Sequence, residues 1–257
     1  MIPEPYWSDE TVSLYLGDCR EILPALGVTA DLIVADPPYG ETSLAWDRWP
    51  EGWIEVAAQV SRSLWCFGSL RMFGERWGEF AAVKWKLSHE AECEWLDHVV
   101  WEKHNGSGFA ADRLKKVHEL AAHWYRGSWG GIYKDVPREP GGTGSKSVRT
   151  RGLTPHTGAI GDTGYVDDGL RLVRSVIRCH SMQQHAIHPT EKPTGILSPL
   201  ISYACPPRGL VIDPFAGSGS TLDAARALGR RAIGVEARQD YAERAARRLS
   251  QMVLEAS

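Results

Sequence analysis

The sequence predicts an α/β fold: a twisted, mainly parallel sheet with helices on both faces. Three observations carry that expectation. The stretch Asp213-Pro-Phe-Ala-Gly-Ser-Gly-Ser-Thr221 lies between a short apolar run and a helical one. Further short apolar runs alternate with helix-length amphipathic segments elsewhere in the chain. Followed from residue 209 to the end and then from residue 12 onward, strands and helices alternate without interruption. The chain therefore looks circularly permuted, a rearrangement that surface termini tolerate.

The glycine stretch comes first, because the rest is organised around it. Gly209-Leu-Val-Ile212 is apolar and β-branched and predicts a buried strand. Thr221-Leu-Asp-Ala-Ala-Arg-Ala-Leu228 predicts a helix stopped by Gly229. Gly217 and Gly219 lack Cβ, so a ligand can approach the backbone there. The helix start offers unpaired N–H groups. Arg231-Ala-Ile-Gly-Val-Glu236 predicts a second strand ending in a carboxylate. An acid about 20 positions past such a turn is placed to accept bonds from ribose hydroxyls. The unit is not a P-loop, since no Lys follows Gly219, nor a dinucleotide fingerprint, since Leu222 stands where a third glycine would. Asp213 sets a negative charge beside the turn, which disfavours pyrophosphate and favours a cationic ligand. A tight turn with no ligand is the plain alternative.

Taken in order, Val12-Ser-Leu-Tyr-Leu16 alternates and predicts a strand, followed by Gly17-Asp18-Cys19 and a short helix over 19–26. Ala30-Asp-Leu-Ile-Val-Ala35 is the next buried strand, with Asp36-Pro-Pro-Tyr39 at its carboxyl end. Prolines stop a strand and stiffen the turn behind it. Ligands of open α/β sheets bind at such strand ends, so Asp18, Asp36, Asp213 and Glu236 converge on one edge. Residues 41–53 read as a tryptophan-bearing loop leading to a helix near 51–62, then a strand at 64–67 and a helix over 72–85. Residues 94–101 and 118–125 predict two strands, read as an antiparallel pair at the sheet edge. Pro193 opens a helix running to Ala204, which sets Lys192 toward a cofactor. Residues 240–254 form an amphipathic helix with Tyr241, Ala245, Leu249 and Met252 inward. Its Arg244, Arg247 and Arg248 read as a solvated face.

The chain divides into 1–125, an insertion over 126–181 and 182–257. The insertion has little periodicity, abundant glycine and interleaved basic residues, including Lys146, Arg149 and Arg151. A structureless loop of that length is unusual unless functional. Its functional reading is a surface that follows phosphates and reads bases; the plain one is a solvated insertion.

Composition limits the classes. The chain has 257 residues, 43% hydrophobic and 24% charged, as an ordinary globule does. No apolar run is long enough to span a membrane, and no basic-then-apolar leader is present at the N-terminus. The cysteines at 19, 66, 93, 179 and 205 form no Cys-x-x-Cys pair, which points to reduced thiols and a cytoplasmic setting. His180, His185 and His188 lack a second cluster to complete a zinc set, so no metal is assigned. The net charge of −3 means that any nucleic-acid face must concentrate the basic residues.

Asp-x-Phe-x-Gly-x-Gly followed by Glu236 resembles motifs I and II of S-adenosylmethionine-dependent methyltransferases. Together with Asp36-Pro-Pro-Tyr39 it resembles one family sharply, the amino-methylating DNA methyltransferases. There Asp-Pro-Pro-Tyr is motif IV and His188-Pro-Thr-Glu-Lys-Pro193 matches motif X. The order of motifs is similar to the family's β group, and the resemblance covers most of the chain outside 126–181. It implies a Rossmann-like fold with permuted motif order, S-adenosylmethionine as cofactor and double-stranded DNA as partner. It implies that Asp36 and the Pro37 carbonyl accept the N–H groups of a base amine, that Pro38 stiffens the turn and that Tyr39 stacks on the base. It gives Glu236 the ribose hydroxyls and sets Asp18 and Cys19 by the adenine. Asp213, Phe215, Gly217, Gly219 and Ser220 surround the methionine part, with Lys192 and Thr194 toward its carboxylate. In the family, Asp in the first place of motif IV mostly accompanies adenine and Ser mostly cytosine. The expectation is thus N6-adenine methylation after base flipping, with N4-cytosine as the alternative. A DNA-binding relative without transfer, and methylation of a small molecule or of a protein amide, are the other readings. Asp36 disfavours the amide, where Asn usually stands. A homodimer is compatible with this reading, and nothing in the chain resembles a nuclease motif.

Overall fold

The computed structural model describes residues 2–44, 46–87, 98–107, 111–141, 146–147, 165–166, 168–180 and 191–255. They form two compact units, Met1–Asp135 with Ser175–Ser257, and Val136–Arg174. In the first unit the chain runs β1 (Trp7–Ser8), β2 (Val12–Leu16), α1 (Cys19–Leu26), β3 (Leu32–Ala35), α2 (Trp53–Val60), β4 (Ser63–Gly68) and α3 (Leu70–Ala82). There follow β5 (Lys86–Leu87), β6 (His98–Ser107) and β7 (Lys116–Tyr125). The second unit holds β8 (Arg138–Pro140), β9 (Lys146–Ser147), β10 (Tyr165–Val166) and β11 (Leu170–Leu172). The chain returns through β12 (Val176–Arg178), α4 (Thr194–Ala204), β13 (Leu210–Asp213), α5 (Ser220–Ala227), β14 (Arg231–Glu236) and α6 (Gln239–Glu255).

The main sheet has the order β1-β2-β14-β13-β3-β4-β7-β6-β12, with β5 on β7. From β2 to β4 every pairing is parallel. From β13 the chain proceeds to β14 on one side, while β3 and β4 lie on the other. The carboxyl ends of β13 and β3 therefore flank the place where strand order reverses, where such sheets bind ligands.

Parallel strands buried on both faces need apolar side chains in both directions. In β3, Leu32 and Val34 join a core with Ile196 of α4, Leu222 of α5 and Ala245 of α6. Ile33 and Ala35 join the opposite core with Leu23 of α1, Trp53 of α2 and Phe80 of α3. Truncating one of these aliphatics to Ala costs about 2–5 kcal/mol. Helix ends follow local chemistry. Asp18 caps α1 by accepting the Arg20 N–H at 2.8 Å, and Gly27 ends it in the left-handed region at φ 60. Ser69 caps α3 by accepting the Met72 N–H at 3.0 Å.

Two expectations are corrected. The antiparallel pair β6–β7 is not the sheet edge: β12 adds to β6 in parallel, Val176 opposite Val100. Three residues are too short a run to show a period. The part of the expected strand at 94–97 lies outside the described residues. The second unit is also narrower than 126–181. Ile132 is buried, and the Arg126 guanidinium donates to the carbonyls of Val83 and Ala58, which ties 126–135 to the first unit. Nor is the second unit structureless: β8 pairs with β11 and β9 with β10, both antiparallel. No described helix is long and apolar enough to cross a membrane.

Candidate active site

A cleft of about 500 Å³ opens at the carboxyl edge of the sheet. Its walls include Asp18 and Cys19, the turn 36–39, residues 213–218, Ser220 and Glu236. So the strand ends read from the sequence as one edge do line one cavity.

At one end lies the glycine turn. Glu236 Oε2 accepts the Gly217 N–H at 2.8 Å, and Oε1 accepts the Arg238 N–H at 2.9 Å. Gly217 sits in the left-handed region at φ 52, where a Cβ would be strained. Burial raises the Glu236 carboxyl, and those two backbone bonds pull it back in part. Asp213 is buried and accepts the Phe215 N–H at 3.0 Å. Burial pushes its carboxyl up to about 7, with Asp36 and Glu236 adding to the rise against hydrogen bonds from Thr221 and Phe215. The expected standing negative charge is therefore only partial at neutral pH. Phe215 lies edge-on to Trp53 at 5.2 Å.

Beside it, the Asp18 carboxylate is committed to its helix cap and to Arg20, whose Nη2 approaches Oδ2 at 2.5 Å. Burial raises the Cys19 thiol to about 12, the Asp18 charge adding to it, so it stays protonated. The loop before α2 forms the outer wall through Thr42 and residues 46–51. Asp47 pins it by accepting the N–H groups of Gly40 at 2.8 Å and Thr42 at 2.7 Å. Trp46 meets Tyr241 edge-on at 6.2 Å.

At the other end is the turn after β3. Tyr39 donates its hydroxyl to Asp36 Oδ1 at 3.0 Å, and Lys192 Nζ donates to Asp36 Oδ2 at 2.5 Å. The same ammonium lies 3.4 Å from Glu119 Oε2 on β7. Burial raises the Asp36 carboxyl, Lys192 opposes the rise and Glu119 adds to it. Burial alone would lower Lys192, but the two carboxylates outweigh it and hold the ammonium charged.

Lys192 lines the cleft at its other end, turned to Asp36, because two partly buried carboxylates attract the ammonium from the start of α4. Two expected site residues do not line it. Thr194 is exposed in the first turn of α4 and is not part of the cleft wall. Gly219 does not line the cleft either: it opens α5 in the left-handed region at φ 77, which favours glycine, and a Cβ on it would also stand 3.2 Å from the Ala245 Cβ. Pro193 is the residue before the helix rather than its first one. Arg149 and Arg151 lie outside the described residues, as do His185 and His188, and of Lys146 only the strand is described. The side chain of Met252 is outside them too.

Sequence reasoning missed three features. Glu119 sat within an expected strand, where a lone carboxylate among apolar residues was the available signal. The loop residues Thr42 and Asp47 gave none. Arg248, expected on a solvated face, is largely buried: its Nη1 meets Glu191 Oε1 at 2.7 Å and Ser218 Oγ at 3.3 Å. That contact ties the segment before α4 to α6 and the glycine turn.

Known proteins share this fold. The chain is 24% identical over 96% of its length to the type II methyltransferase M.ScaI of Streptomyces caespitosus, 84% of which is covered. The fold is that of the crystal structure of the M1.HpyAVI-SAM complex, with a TM-score of 0.61 at 21% identity, covering 92% of this chain and 99% of that one. The PvuII DNA methyltransferase described as cytosine-N4-specific superposes with a TM-score of 0.62 at 13% identity, covering 94% and 87%. Residues 30–247, which carry both the Asp36 turn and the glycine turn, match the N6_N4_Mtase family of DNA methylases, and the chain belongs to that family.

Proposed function

We propose that this chain transfers a methyl group from S-adenosylmethionine to N6 of adenine in double-stranded DNA, on a base flipped out of the helix. The observation that carries the reading is the single cleft running from Glu236 to Asp36, across the reversal point between β13 and β3. S-adenosylmethionine supplies an electrophilic methyl on a sulfonium. The residues present fit it. Glu236 has its two oxygens fixed by backbone N–H groups, with remaining lone pairs for ribose hydroxyls. The Asp213 carboxyl, raised to about 7, gains its charge beside a cation. Asp18 and Cys19 border the adenine, while Phe215, Gly217 and Ser220 surround the methionine part.

The acceptor is the harder partner. An exocyclic base amine is conjugated with its ring and is a poor nucleophile. Asp36 and the Pro37 carbonyl accept its two N–H bonds, which draws the nitrogen toward tetrahedral geometry and frees the lone pair. Pro38 stiffens the turn that presents them. Flipping the base out costs a few kcal/mol, while correct orientation of the reacting pair is worth roughly 7–11 kcal/mol. Lys146, Arg149 and Arg151 of the insertion contact the DNA backbone. Adenine follows from Asp36 in the first place of the turn, by resemblance to the family's adenine members.

DNA treated with the protein and cofactor, digested to nucleosides and separated by mass spectrometry, should contain N6-methyladenine. N4-methylcytosine instead would move the substrate to cytosine. Cofactor binding without any methylated nucleoside would favour the relative that binds DNA without transfer.

A further inference from the structure

We infer that Lys192 and Glu119 are positioning residues for the transfer: Glu119 holds the Lys192 ammonium, and the ammonium fixes the Asp36 carboxylate that receives the target amine. The inference rests on that reading of Asp36 and goes beyond it.

The geometry is a chain of alternating charges. Asp36 follows β3, Lys192 precedes α4, Glu119 lies on β7 and Lys103 on β6. Lys192 Nζ stands 2.5 Å from Asp36 Oδ2 and 3.4 Å from Glu119 Oε2, and Lys103 pairs with Glu119 Oε1. Lys192 is 5% exposed, and its ammonium also sits over the Phe67 ring at 5.0 Å. Two anions and two cations balance around the buried Lys192, the other three side chains being partly exposed. The antiparallel strands β6 and β7 are thus tied to the catalytic turn.

The consequence for Asp36 is orientation. A carboxylate has about four lone-pair positions. Tyr39 takes one on Oδ1 and Lys192 one on Oδ2, so the plane is fixed and each oxygen keeps a free position. Tyr39 alone would leave the group free to rotate. The groups facing Asp36 are Tyr39 from its own turn, Lys192, Glu119 of β7, Cys66 of β4 and Asp213 of β13. Burial holds the Cys66 thiol well above its usual range, so it stays neutral.

A buried ion pair that only stabilised the fold would leave the titration of Asp36 outside its account. The test therefore reads kcat, KM for DNA, cofactor Kd and the pH–rate profile for wild type, Lys192→Met, Glu119→Gln and the double variant. Lys192→Met should lower kcat on the order of 10²-fold, the usual cost of misplacing a reacting group. Its cofactor Kd should stay within about twofold of wild type. Its acidic limb should move to higher pH, because Asp36 loses a cation. Glu119→Gln should move that limb the opposite way, because Asp36 loses a like charge. The double variant should be no slower than Lys192→Met, since the two act as a unit. Lys192→Arg keeps the charge and should fold where Lys192→Met does not, with the limb near its wild-type place. A rise in cofactor Kd at unchanged kcat would assign Lys192 to the cofactor and overturn the inference. Limbs that stay put would reduce the chain to a structural ion pair. Failure of the functional reading shows separately, as no methylated DNA from wild type. Carbon-13 NMR of Asp36 in the same proteins then still decides the relay by the same two opposite shifts.

Discussion

Glu236 Oε2 accepts the Gly217 N–H at 2.8 Å, joining the end of β14 to the turn after β13. One carboxylate thus shapes the glycine turn and faces the cleft. Replacing it by Ala removes a charge-assisted acceptor worth about 1.5–3 kcal/mol. Cofactor affinity of Glu236→Ala should fall roughly 10- to 100-fold. Titration calorimetry reads this directly, and an unchanged Kd would take the ribose role away from Glu236.

Asp36→Ala should behave in the opposite manner. The carboxylate acts on the target amine, so transfer at saturating cofactor should drop by at least about 10²-fold while cofactor Kd changes little. Single-turnover methylation of DNA, beside the same calorimetry, separates the two effects. Transfer at the wild-type rate would remove Asp36 from the chemistry.

Arg248 and Glu191 form a buried pair at 2.7 Å, with the Glu191 side chain 1% exposed. Arg248→Met takes this ion partner from a buried carboxylate, a loss that costs up to about 3–5 kcal/mol. Arg248→Met with Glu191→Gln should recover much of the loss, because neither charge is then stranded. Urea unfolding of the three proteins checks it. Equal stability of Arg248→Met and wild type would return Arg248 to the solvated face its sequence context implies.

That last contrast shows where sequence reading stops. Strand, turn and helix around Asp213 were legible because apolar period, glycine and charge change together within a few residues. The Asp36 turn was legible because two prolines mark the end of an apolar strand. Side-chain destinations across long separations were not. Lys192 meets Asp36 across 156 positions, and nothing local distinguishes it from a lysine aimed at a cofactor carboxylate. Gly219 carries the same mark as Gly217 and shares its left-handed backbone, yet only Gly217 lines the cleft, while Gly219 faces Ala245. Arg248 shares its helix with the exposed Arg247, and only the tertiary partner Glu191 separates them.

Asp213 makes cofactor affinity depend on pH. Its carboxyl is raised to about 7 from the ordinary 3.8, by burial first. Below 3.8 both states hold the proton, and the group's contribution to stability is fully present. Between 3.8 and about 7 the unfolded chain loses the proton while the folded protein keeps it, so that contribution falls as pH rises and is gone above about 7. A cationic ligand needs the carboxylate and must expel the proton to obtain it. Affinity for S-adenosylmethionine should therefore rise between pH 5.5 and 8, by up to about tenfold per unit at the acidic end. S-adenosylhomocysteine has no sulfonium charge and should show a much flatter profile. Asp213→Asn should flatten the first profile and lower the affinity at pH 8. Calorimetric titrations of both ligands across this range, in buffers of differing ionisation enthalpy, count the proton released. Parallel pH profiles for the two ligands, with no proton released by the cationic one, would show that Asp213 does not sense the sulfonium.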